Sequence, residues 1–204
     1  MFKLIKPFDK DINKTERLLF IDIDNTFGGT LERFYQDNEE NTQKWKDFIK
    51  EHNLYRIHAR DIASLNPNQI KLFAEMVRDT NSKVISMSSW GSLSNPEDSL
   101  RSIKTVFEHF ADFPKDWLIG LVSGTGGNRE SLTVRPFLKE VDFKGQHLLI
   151  DDMWKSFSDP KVCIKVDGNI GFSVYDCLEI IRKFKINVND IQNEELRHII
   201  QHNL

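Results

Sequence analysis

Short, almost unbroken apolar runs recur along the chain: LLFIDI (18–23), KVISM (83–87), WLIGLV (117–122), HLLI (147–150) and VCIKV (162–166). Each ends in polar or small residues. Apolar character on successive positions, without alternation, is what a strand covered on both faces requires, so the runs predict buried parallel strands. The stretches between them carry helix signals. Asn66-Pro67 reads as an N-cap followed by Pro at the first helical position, with Gln69 two further on and Ile70, Phe73 and Val77 on one face. Asn95-Pro96 repeats the device ahead of Leu100, Ile103, Phe107 and Phe110. Ser173 with Asp176 gives a third start, ahead of Val174, Cys177, Leu178, Ile181 and Phe184. Glu194, Leu196, Ile199 and Ile200 suggest one more helix at the end of the chain. Strand–helix alternation of this kind predicts an α/β fold, a doubly wound parallel sheet with helices on both faces. Ligands of such sheets bind beyond the carboxyl ends of the strands, so the polar residues there are the candidates for chemistry.

The chain reads as one domain, 1–204, with an insert. The stretch 28–64 is longer than an ordinary crossover and holds an amphipathic helix candidate around Trp45, Phe48 and Ile49. It is expected to be a small cap or flap over the site, or else a plain helical excursion on the sheet edge. The formal charge of −3 gives no field for binding polyanions over the whole chain, although it leaves room for a local basic groove. Cys163 and Cys177 sit among apolar residues and read as buried thiols, too few for a zinc site or a disulfide framework. No apolar run reaches the length of a membrane span, and the first residues lack the apolar core of a signal peptide. A cytoplasmic, soluble protein with no membrane attachment and no obligate protein partner is therefore expected.

The first strand carries the strongest chemical signal. LLFIDIDNTFGG runs from apolar residues into Asp22, Asp24, Asn25 and Thr26, then Gly28-Gly29. Both acids converge on the tip of the strand if the chain leaves it at Asp22. The glycines would let the backbone curl there. A carboxylate can attack phosphorus, a second acid can protonate the leaving oxygen, and a cation is then needed to hold acids and phosphate together. Mg²⁺, which takes oxygen ligands, suits that task. The second strand ends in Ser88-Ser89, whose hydroxyls can donate to a phosphate without adding charge. The fourth ends in Asp151-Asp152, and parallel topology would bring these acids to the same rim as Asp22 and Asp24.

DxDNT, then a strand ending in Ser, then LLIDD, in that order, resembles the haloacid-dehalogenase superfamily over roughly residues 18–170. The resemblance implies a Rossmann-like phosphatase with Asp22 as nucleophile and Asp24 as general acid and base. It implies Mg²⁺ held by the side chains of Asp22 and Asp151 and the backbone carbonyl of Asp24, with Thr26 bracing the loop. Ser88, or less directly Ser89, would bind the phosphate, and Asp152 would support the metal. The family also places a basic residue before the fourth strand. VRPFLKEVDFKGQHLLIDD offers Arg135, Lys139 and Lys144; the likeness of LKEV to the 5′(3′)-deoxyribonucleotidase branch puts Lys139 first, and RPFL supports Arg135. SSWG resembles phosphatase-like domains of nucleic-acid repair proteins, which points to a nucleotide or a nucleic-acid terminal phosphate as substrate. SGTGGN (123–128) lacks the Lys-Ser/Thr ending of a P-loop, so a kinase activity is not expected. The alternatives are a phosphatase of another small phosphorylated metabolite, or a binding or regulatory protein that has kept the fold and lost turnover.

Overall fold

A computed structural model describes residues 2–5, 8–30, 39–122, 128–153 and 157–203. The strands are β1 (Phe2–Leu4), β2 (Arg17–Ile21), β3 (Lys83–Ser86), β4 (Leu118–Val122), β5 (Gln146–Asp151) and β6 (Cys163–Lys165). They form one sheet in the order β1-β4-β3-β2-β5-β6. β2 lies between β3 and β5, and every pairing is parallel except β1 with β4. All five apolar runs are strands. The edge strand β1 was not expected: three residues of mixed character, held antiparallel to β4, carry no periodic signal of their own.

The helices are α1 (Phe8–Asp11), α2 (Glu39–Glu51), α3 (Ala59–Ala63), α4 (Pro67–Asp79), α5 (Pro96–Phe110), α6 (Arg135–Glu140), α7 (Val174–Phe184) and α8 (Glu194–Asn203). They cover both faces of the sheet. Along β2, Leu19 and Ile21 join a core with α4, α5, α7 and α8, while Leu18 and Phe20 join a second core on the other face with Leu4, Val134 and Phe137. The central strand is thus buried on both sides, which is why its sequence is unbroken in apolar character. Cys163 and Cys177 are both free and buried, and burial pushes the Cys163 thiol up to about 12. None of the described helices is long and apolar enough to cross a membrane.

The helix starts differ in detail. Ser173 and Asp176 form the expected capping pair, the Ser173 N–H and hydroxyl donating to Asp176 at 2.8 and 2.7 Å. At α4 the Asn66 side chain accepts from Asn68 N–H at 2.9 Å. Gln69 turns away from the cap and donates to the Ile170 carbonyl at 2.6 Å, tying α4 to the loop beyond β6.

Within the insert, residues 31–38 lie outside the described residues. The remainder packs along α5. Tyr55 N–H donates to Ser102 Oγ at 2.7 Å, Arg101 donates to the His52 and Asn53 carbonyls, and the Trp45 ring meets His109 and Phe110. Arg56, at φ 57°, reaches the loop beyond β3 and donates to Ser92 Oγ at 3.2 Å. The two ends of the insert close where Asn66 N–H donates to the Phe27 carbonyl at 2.7 Å.

Gly28 serves this closure, and Gly29 admits the loop beyond β6. A Cβ on Gly28 would lie 1.7 Å from the Ser64 carbonyl oxygen, and one on Gly29 2.1 Å from that of Asn169. Both obstacles are backbone, which cannot swing aside. Gly28→Ala is expected to cost about 3 kcal/mol of stability, measured by denaturant unfolding.

Candidate active site

β2 ends at Ile21, and Asp22 is the first residue beyond it. Its N–H still donates to the Ile150 carbonyl at 3.0 Å, so the chain stays against β5 for one more step. Because Ile21 is in register with Ile150, Asp22 falls beside Asp151 at the shared carboxyl rim. The turn is then made by Asn25, which takes the left-handed conformation at φ 55°. Asn tolerates that region because its short polar side chain can bond locally. The expectation that Gly28-Gly29 makes the curl is therefore corrected: Asn25 turns the chain, and the glycines admit neighbouring backbone.

Three carboxylates gather here. Asp22, Asp151 and Asp152 each offer an oxygen within 4.8 Å of the others, forming a candidate cation-binding group among the described residues. Asp22 is 3% exposed and Asp151 is fully buried. Asp151 Oδ1 accepts from Met153 N–H at 2.8 Å. Asp152 Oδ2 lies 3.5 Å from Asn25 Nδ2.

Arg129 Nη1 stands between two of these acids, 3.0 Å from Asp22 Oδ2 and 2.9 Å from Asp151 Oδ2. Asp22 Oδ1 is buried with no partner. Burial pushes the Asp22 carboxyl up to about 7 against the pull of Arg129, and Asp151 and Asp24 add to the rise. Burial, with Asp151, also raises Asp152. One guanidinium cannot balance three carboxylates, so the site must either bind protons or bind a further cation. The unbalanced negative charge and the all-oxygen donor set fit a hard divalent ion such as Mg²⁺.

Arg129 was missed by the sequence reading, which looked closer to β5. The chain passes from Arg129 through a π-helical turn (Glu130–Val134) into α6. Residues 129 and 139 are ten apart, about 15 Å along a helix. The cation must therefore sit at the start of this helical segment. Lys139 is exposed in the last turn of α6. Lys144 lies at the opposite rim, where its N–H donates to the side chain of Asn13, a residue that precedes β2, and where its ammonium pairs with Asp142. Arg135 is committed to buried Glu130, which also accepts from Ser158. The structure thus brings Arg129, and not Lys139 or Arg135, to Asp22 and Asp151. Lys139→Ala is expected to leave both melting temperature and any phosphatase turnover unchanged within error, as measured side by side with the wild type. The available signal was NRES, five residues beyond the third predicted strand, on the side of its carboxyl end.

The acids of the DxD pair are directed to different neighbours. The Asp24 carboxylate does not join the cluster of three; it accepts from Ser89 Oγ at 3.0 Å and from Trp90 Nε1 at 3.1 Å. Asp152, expected in a supporting role, is the third carboxylate of the cluster. Ser88 is buried just beyond β3, where Met87 N–H bonds to the Ile21 carbonyl at 2.7 Å. Ser88 Oγ accepts from Trp90 N–H at 3.3 Å, which leaves its own proton available to donate. Thr26 braces the loop through its backbone, its carbonyl accepting from Phe172 N–H at 2.7 Å; its hydroxyl is buried without a partner. Of the glycine-rich segment 123–128, residues 123–127 lie outside the described residues. Comparison with family models, with curated proteins and with solved structures gives no significant match to this chain.

Proposed function

We propose that the chain is a divalent-cation-dependent phosphomonoesterase that passes the phosphoryl group through Asp22, in the manner of the haloacid-dehalogenase superfamily. The observation that carries this reading is the buried Asp22 carboxylate, with Oδ2 engaged by Arg129, Oδ1 unpartnered, and Asp151 alongside. A carboxylate so arranged has one oxygen oriented and one free to attack. Asp22 Oδ1 forms the bond to phosphorus as the ester oxygen leaves with its electron pair. Asp24 gives that oxygen a proton, then accepts one from the water that cleaves the aspartyl-phosphate. Arg129 and the Ser88 hydroxyl offset charge on the phosphoryl oxygens. Asp22 and Asp151, with Asp152 beside them, would hold Mg²⁺, which supplies positive charge to the phosphoryl oxygens when bound.

The resemblance in sequence points to a nucleotide or a nucleic-acid terminal phosphate as the substrate. A panel of 5′-, 3′-, ribo-, deoxy- and oligonucleotide phosphates tests that choice. The reaction itself is tested with p-nitrophenyl phosphate. Hydrolysis is expected with Mg²⁺, and is expected to be lost with EDTA and in Asp22→Asn. Steady turnover that survives both changes would discard the proposal.

A further inference from the structure

Glu130, the neighbour of Arg129 in the chain, is 3% exposed and has no part in the chemistry proposed above. Its carboxylate is engaged on both oxygens. Oε1 accepts from Arg135 Nε at 2.9 Å and from Arg135 Nη2. Oε2 accepts from the Ser158 N–H at 3.1 Å and from the Ser158 hydroxyl. The π turn allows the first pairing. Arg135 N–H donates to the Glu130 carbonyl, five residues back, which brings Arg135 alongside Glu130. Withdrawing a carboxylate from water costs free energy that an apolar side chain of the same size would not. An apolar side chain, however, could not fix the direction of these donors.

Arg129 and Glu130 hold the same stretch of chain at two points. Both stand in the first turn of the helical segment, which Asn128 opens by accepting from Ser131 N–H at 3.0 Å. Adjacent residues on a helix diverge by about 100°. Arg129 turns to Asp151, the last residue of β5, at 2.9 Å, and Glu130 turns to Ser158, farther along the same connection to β6. Asp151 is one of the two points and Asp152 follows it directly. Two of the three acids of the cluster therefore belong to the stretch that is held. Arg129 alone would fix only its beginning.

We infer that Glu130 is a positioning residue for the cation site: by tying Ser158 to the segment that carries Arg129, it keeps Asp151 and Asp152 placed to receive a divalent ion together with Asp22. The inference rests on the cation-binding role given to these acids above.

Glu130→Gln keeps the size of the side chain but replaces one acceptor oxygen with an amide nitrogen that can only donate. One of the two partners, Arg135 or Ser158, must then be released. Binding of Mg²⁺ to the metal-free protein is read by isothermal titration calorimetry. It should weaken about tenfold in Glu130→Gln and about threefold in Ser158→Ala, which loses the hydroxyl and keeps the backbone donor; loss of an outer partner of a metal site costs about 10–100-fold. Ile12→Val separates this from a loss of stability alone. Ile12 is buried in the same core as Val134 and Phe137 but precedes β2, at the opposite rim, so this variant should melt earlier and keep its Mg²⁺ affinity. Unchanged affinity in Glu130→Gln, or an equal loss in Ile12→Val, would overturn the assignment while leaving the phosphatase reading intact. A wild-type protein that binds no Mg²⁺ would overturn the cation reading of the acids and the assignment with it. If Glu130→Gln does not fold, Ser158→Ala carries the test, and an unchanged affinity there would overturn the inference.

Discussion

Arg129→Met is expected to lower the melting temperature of the metal-free protein at pH 8 by about 10 °C, and millimolar Mg²⁺ to restore most of the loss. Arg129 contacts Asp22 and Asp151, and all three side chains are largely withdrawn from solvent. Removing one partner of a buried ion pair leaves an uncompensated charge, at a cost of about 3–5 kcal/mol. In a chain of this size each kcal/mol is worth about 2–4 °C. The loss should shrink toward pH 5, because Asp22 can then take up a proton instead of remaining charged. A cation bound by the same acids replaces the missing positive charge, and ligand linkage turns that affinity into stability. Methionine keeps most of the side-chain bulk, so packing contributes little to the change. Differential scanning calorimetry at pH 5 and pH 8, with and without Mg²⁺, separates these terms. A loss that is equal at both pH values and unmoved by the ion would mean that Arg129 acts through packing alone.

Asp22→Asn should do the reverse to stability while abolishing turnover. Burial raises the Asp22 carboxyl from 3.8 to about 7. Between those values the unfolded chain has released its proton and the folded chain has kept it, so raising the pH disfavours folding. The penalty is absent below about pH 4 and complete above about pH 7. Each tenfold in proton affinity is worth about 1.4 kcal/mol, which bounds the effect at about 4 kcal/mol. Arg129 loses an ionised partner in the variant, so a net gain of about 2 kcal/mol at pH 8 is expected, with none at pH 4. Urea unfolding of the metal-free proteins at the two pH values measures it. The proposed nucleophile is thus stored in a state that costs stability, as reactive groups in buried sites commonly are.

The fold was legible because burial on both faces writes itself into sequence as unbroken apolar runs. LLFIDI, KVISM, WLIGLV, HLLI and VCIKV are all strands of the sheet. β1 was not legible, since a three-residue edge strand takes its conformation from β4 rather than from its own pattern. The gathering of Asp22, Asp151 and Asp152 followed from parallel topology, because adjacent strands in register end at the same rim. Asp24 shows where pattern stops: spacing places it near Asp22, but its carboxylate accepts from Ser89 and Trp90 beyond β3, which spacing does not reveal. Arg129 shows the same limit. A basic residue ahead of β5 was foreseen, yet the choice among cations depends on where the helical segment begins, and Arg135 and Lys139 lie one and a half to three turns farther along it. The turn at Asn25 and the backbone contacts at Gly28 and Gly29 were likewise set by neighbours remote in sequence.

The claim that Asp22 accepts the phosphoryl group is tested most directly by trapping. Borohydride reduces an acyl phosphate to an alcohol and leaves free carboxylates untouched. Protein quenched during turnover of a phosphate monoester with Mg²⁺, reduced and digested, should yield homoserine at position 22, absent without substrate and absent with EDTA. Phosphate release in the same sample with no reduced residue at position 22, or with the reduced residue elsewhere in the chain, would contradict the account.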